Sequence, residues 1–158
     1  MPELSLLNAV EEAQLLSIFK NICVAYDDYN ERNKLRNILA SSSSPKNSIM
    51  KLVEREYGET LSDEKIDRLL LLVNAFLNKS SFRKVIDDSI RIKLLNQQNY
   101  KCAFCGKKID INSHADHIVP FKYVGDELEN NLQMLCSNCN EKKNDSIDYQ
   151  IRYLLKIV

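Results

Sequence analysis

Glycine and proline are scarce in this chain, three of each among 158 residues. With a hydrophobic fraction of 44%, so few glycines suit a compact, helix-rich protein. Long apolar runs are also missing. The longest, Leu69 to Val73, falls far short of the roughly twenty residues that cross a bilayer, so no membrane association is expected. The opening Met-Pro-Glu-Leu lacks the basic-then-apolar layout of a secretory leader, and the expected compartment is cytoplasmic. Net charge is absent too, which argues against a non-specific nucleic-acid coat protein. The balance holds by halves: residues 1–80 carry twelve acids and ten bases, and residues 81–158 ten and twelve. Local basic clusters remain at Arg83-Lys84, Lys107-Lys108 and Lys142-Lys143. Each is either solvated surface charge or a phosphate contact.

What is present is a set of five cysteines, and four of them fall into two pairs. Cys102-Ala-Phe-Cys105 and Cys136-Ser-Asn-Cys139 stand about thirty residues apart, a spacing suited to a tetrahedral zinc site. Each pair would bite the metal from one tight turn, and Gly106 permits the first of these turns. Four thiolates fill every position on the ion, so Cys102, Cys105, Cys136 and Cys139 are expected to hold a structural Zn²⁺. A helix starting near Cys139 would complete a treble-clef-like arrangement. Cys23 lies in an apolar helical stretch and reads as a packing thiol.

Helical periodicity dominates the first half. Residues 4–29 place Leu15, Ile18, Phe19, Ile22, Tyr26 and Tyr29 on one stripe, and a second helical piece carries Leu35, Ile38 and Leu39. Ser44-Pro45 is a helix start with a capping hydroxyl, and Gly58 a left-handed stop. Thr60 or Ser62 caps the next helix, whose broad face includes Ile66, Leu69, Leu70, Leu71, Leu72, Val73, Phe76 and Leu77. A further helix is expected from Ser80 or Ser81, with Phe82, Ile86, Ile90 and Leu94 about a turn apart. His114 to Val119 reads as a short strand ended by Pro120. Ser146 caps a last helix whose face of Ile147, Ile151, Leu154, Leu155 and Val158 is expected to dock on the N-terminal helices.

The expected organisation is a helical domain over residues 1–80 and a second domain over 81–158. The first unit has stripes and caps but no polar constellation. Partner binding, homodimerisation and substrate targeting stay open as its role.

Cys102-x-x-Cys105, Asp116-His117-Ile-Val-Pro120, Asn131-Leu-Gln-x-Leu-Cys136 and Cys139-Asn140-x-x-Lys143 together resemble the HNH endonuclease family, in its four-cysteine zinc branch. The resemblance covers roughly residues 90–146. It implies a mainly α chain with a small α+β, zinc-stapled ββα-metal nuclease domain. It also implies a metal-dependent endonuclease hydrolysing phosphodiester bonds, with DNA the usual substrate; the residues do not choose between DNA and RNA. His117 would be the general base, and Asp116 with Asn140 would hold a catalytic Mg²⁺ or Mn²⁺. Asn131 would hold the loop that aims His117, while Lys143 and Lys142 would contact substrate phosphate. The chemistry of these groups agrees with that allocation. Mg²⁺ takes oxygen ligands and keeps several waters, and a free imidazole titrates near pH 6.5, about where a base must work. An asparagine at position 140, where many members carry histidine, disfavours a softer metal.

His114 shares Asp116's strand face and is a candidate for the metal or a phosphate, its plainer reading being a partly exposed strand histidine. Asp126, Glu127 and Glu129 make an acidic loop expected at the rim of the site. Asp116 and His117 are neighbours on a strand, so their side chains point apart unless the backbone bends. The alternative function is a treble-clef zinc module that binds nucleic acid or protein without cutting.

Overall fold

Four helices built on the apolar stripes make the larger core. The computed structural model describes residues 6–157. Helices α1 (Leu6–Ala25), α2 (Tyr29–Ala40), α3 (Pro45–Tyr57) and α4 (Asp63–Asn78) come first. Phe19 and Phe76 are fully buried and meet edge to face, with ring centroids 6.4 Å apart. Leu15, Ile22, Leu35, Ile49, Leu52, Leu69 and Leu72 surround them.

Local caps set these helix ends. Asp28 accepts from Glu31 N and opens α2, so the first helix stops at Ala25 instead of reaching Tyr29. Tyr29 is consequently exposed. Residues 4 and 5 of the expected helix, and Val158 of the last one, lie outside the described residues. Ser44 caps α3 with Pro45 inside its first turn, and Gly58 closes it at φ 62°. Ser62 caps α4, and Leu71 turns to solvent while Leu72 is buried.

No helix begins at Ser80 or Ser81. Residues 79–87 form a strap without regular secondary structure, and α5 runs from Asp88 to Gln97. Two causes displace the start. Asp87 is the stronger cap, accepting from Ile90 N and Ser89 Oγ, and Lys84 N is committed to Asp126 Oδ2 at 2.7 Å. Phe82 and Val85 therefore stand exposed.

The rest of the chain is a two-stranded antiparallel sheet with helices on it. Strand β1 (His114–His117) pairs with β2 (Leu132–Leu135), Asp116 opposite Gln133 and His117 opposite Leu132. A short α6 (Phe121–Val124) lies between the strands, and α7 (Ser137–Lys143) and α8 (Ile147–Leu154) follow β2. Helix α7 starts two residues before Cys139 because Cys136 is its N-cap, Sγ accepting from Cys139 N. Strand β1 stops short of Val119 for a similar reason: the Asn131 side chain takes over Val119's backbone groups.

Two cores result. The larger extends from α1–α4 to Val119, Val124, Ile147 and Ile151. The smaller is built on Leu95, Cys102, Ile109, Met134, Leu135 and Cys139. Helix α8 touches both. Ile147 and Ile151 face the larger core, whereas Tyr153 stacks on Phe104 with centroids 4.4 Å apart and donates to Ala103 O. Among the described residues no helix is long and apolar enough to cross a membrane.

Candidate metal and nuclease site

The four sulfur atoms of Cys102, Cys105, Cys136 and Cys139 lie within 4.8 Å of one another. Bonds of about 2.3 Å to a tetrahedral ion would set sulfurs about 3.8 Å apart. Cys105 Sγ and Cys136 Sγ are separated by 3.7 Å. The donor set and its spacing therefore fit zinc. The first knuckle is shaped by Gly106 at φ 72°, whose N–H bonds Cys102 O, and by Cys102 N bonding Lys107 O. Burial raises the Cys102 thiol, but backbone N–H groups of Cys105, Cys136 and Phe104 outweigh it and bring the group to about 7. Cys139 is pushed up, first by burial and then by the other sulfurs crowding it. A dication at the centre reverses that crowding, which is why such clusters bind metal.

Beside this staple, β1 sends consecutive side chains to different partners. Asp116 Oδ2 accepts from Gln133 Nε2 at 3.0 Å and pairs with Lys143 Nζ at 2.9 Å. Lys143 is fully buried, and its ammonium also donates to His117 O at 2.8 Å. Its expected place at a substrate phosphate is thus taken by a structural bond: a buried ammonium must be paired, and α7 packs directly on β1. Asp116 Oδ1 makes no hydrogen bond among the described residues, and no buried side-chain oxygen lacks a partner, so this oxygen is open to solvent. Asn140 sits one turn before Lys143 on α7, and residues so spaced on a helix are about 5–6 Å neighbours. Its carboxamide makes no hydrogen bond with a described residue.

His117 turns the other way. Its Nε2 lies 2.7 Å from Asp126 Oδ1, with the two side chains only 11% and 13% exposed. Phe121 packs edge-on against the imidazole, centroids 5.5 Å apart, and the Arg83 guanidinium lies over the Phe121 ring. Burial works to raise the Asp126 carboxyl, but the bonds from His117 and Lys84 N prevail and hold it below its ordinary value. Asn131 closes the loop after β1: Oδ1 accepts from Val119 N and Nδ2 donates to Val119 O, both at 2.8 Å. His117 lines a cleft of about 280 Å³ shared with Lys84, Ile90, Lys93, Gln97 and Asn130. His114 is exposed at the start of β1, and Lys142 is exposed on α7. A hollow of about 300 Å³ elsewhere, beside Arg36, Leu39 and Leu77, holds no such chemistry.

The structure thus gathers Asp116, Gln133 and Lys143 at one group, and His117, Asp126 and Phe121 at another. Asn131 holds the turn beside the second group. Asp126 was expected at the rim as part of an acidic loop and is instead turned inward. Only the Gly125-Asp126 turn hinted at this, since the pairing spans nine residues with no local pattern. Gln133 and Gln150, buried and in mutual contact, likewise carried no distinguishing signal.

Residues 102–146 match the HNH endonuclease family. The chain is also 38% identical over 61 residues to the CRISPR-associated endonuclease Cas9 of Corynebacterium diphtheriae. That alignment covers 37% of this chain and 6% of the relative. No solved structure matches. Residues 102–146 are thus similar to an HNH endonuclease segment, and the two-stranded sheet, helix α7 and the four-cysteine cluster suited to zinc are consistent with a ββα-metal fold.

Proposed function

We propose that this chain is a metal-dependent endonuclease that hydrolyses phosphodiester bonds of DNA. Asp116 carries the reading. Buried Lys143 and Gln133 hold one of its oxygens, and the other is left open beside the α7 stripe that bears Asn140. One carboxylate oxygen and one amide oxygen are enough protein ligands for Mg²⁺ or Mn²⁺, which otherwise takes water and phosphate oxygens. When bound, the ion would supply charge neutralisation at the scissile phosphate and the leaving oxygen. His117 takes the proton from the attacking water, and the loop clipped by Asn131 fixes where the imidazole stands. Lys142 and His114, both exposed, are free to meet the strand.

The test is plasmid nicking with Mg²⁺ or Mn²⁺ by the wild type and His117→Ala. Removing a general base should cost about 10²- to 10⁴-fold in rate. Equal cutting by the two proteins removes His117 from the mechanism.

One observation favours the non-cutting module instead: the Lys143 ammonium already balances the charge of Asp116. Binding of duplex DNA without cleavage under either metal would establish that reading.

A further inference from the structure

We propose that Asp126 is a positioning residue for His117: its carboxylate keeps the proton on Nε2, which leaves Nδ1 as the nitrogen that works on the water. This rests on the reading of His117 as general base. A carboxylate can only accept, so the 2.7 Å contact requires the hydrogen to sit on Nε2 of the neutral ring. Nδ1 then carries the lone pair. It has no hydrogen-bond partner among the described residues, and no buried side-chain nitrogen lacks one, so Nδ1 is reached by solvent. His117 also lines the cleft of about 280 Å³ that it shares with Lys84, Lys93 and Gln97.

Asp126 is itself held in place from the N-terminal helices. Its second oxygen accepts from Lys84 N at 2.7 Å. The preceding Gly125, at φ 59°, lies so close to the strap that a Cβ there would meet Lys79 Cβ and Ser80 O at 3.2 Å. Lys79 Nζ adds a bond to Lys122 O at 2.7 Å, and Arg83 presses Phe121 onto the imidazole. The strap that follows α4 thus grips the loop that orients the base. Exposed Phe82 and Val85 lie within that strap.

The experiment is long-range proton–nitrogen NMR of the zinc-loaded protein without added Mg²⁺ or Mn²⁺, read beside steady-state cleavage. The chain has two histidines, and exposed His114 serves as the internal reference. The wild type should show His117 as a single Nε2–H tautomer. Asp126→Ala should show tautomer exchange resembling His114, with kcat down about 10- to 100-fold and KM little changed. Asp126→Glu, whose carboxylate can still accept from Nε2–H, should keep the tautomer and most of kcat, and it covers the case in which the alanine variant does not fold. A His117 that exchanges tautomers in the wild type, or stays locked in Asp126→Ala, overturns the proposal. So does faster cleavage by Asp126→Ala, which would make the carboxylate a cover over the base. If the wild type cuts no nucleic acid, the general-base reading fails and the role of Asp126 in it fails too. The tautomer result then stands alone as a statement of what holds the ring.

Discussion

The two cores of this protein are held by different physics. Around Phe19 and Phe76 the larger core is made of fully buried aliphatic and aromatic side chains from four helices, with ion pairs such as Glu12–Arg68 and Lys46–Asp63 confined to its outside. Around Met134 and Leu135 the smaller core has few large side chains, and polar clips do the rest. Gln98 bonds both the N–H and the C=O of Met134, Asn131 does the same for Val119, and Lys143 joins Asp116 to His117 O. Apolar burial is non-directional and tolerates repacking, whereas polar clips fix atoms to a few tenths of an ångström. Precision is concentrated in the segment that carries the proposed site.

The largest expected effect separates the two cores outright. Cys136→Ser, or chelation of the metal, should release residues 102–146 from protection against hydrogen exchange and leave residues 10–77 protected. Structural zinc sites contribute on the order of 10 kcal/mol of apparent binding energy, more than the small core can replace. Loss of protection across both regions at once would mean that one cooperative unit, joined through α8, replaces two. Unchanged protection everywhere would mean that the cysteines are not a structural metal site.

The same contrast decides what could be read from sequence. Leu69, Val73 and Phe76 announce a buried helix face because burial recurs with the helix period, and Ser44-Pro45 and Ser146 mark starts through caps that act within three residues. The cysteine pairs are legible for the same reason: metal ligation imposes a spacing. Residues 79–87 were not legible. Phe82, Ile86 and Ile90 carry a helical rhythm, yet Lys84 N is spent on Asp126, forty-two residues away in the chain. Lys143 and Asp126 are similar cases. Each was visible as a charge, but whether it met solvent or a buried partner depended on a contact with no local trace.

Lys143→Met tests the polar pin on its own. It leaves the Asp116 carboxylate half-buried with one partner fewer and His117 O without its donor. Removing one member of a buried pair costs about 3–5 kcal/mol, as much as a Phe→Ala truncation in a core. Urea melts should show that loss, and adding Asp116→Asn should recover part of it. A change below about 1 kcal/mol would place the ammonium in water, where it could serve a phosphate after all.

The smallest expected effect is electrostatic and belongs to Asp126. Its carboxyl is held below the ordinary value in the folded protein by His117 and Lys84 N, against the opposing pull of burial. A group depressed on folding binds its proton more weakly than in the unfolded chain. The stability it contributes is therefore complete above the unfolded value, about pH 4, and disappears as pH falls through the lower folded value. Acid also releases metal from thiolates, so wild type must be compared with Asp126→Asn at each pH, zinc loss being common to both. The gap in melting temperature between them should close as pH falls below about 4. A gap that persists into strong acid would show that the loop is held by the shape of the Gly125 turn and the strap, with the charge on Asp126 contributing nothing to it.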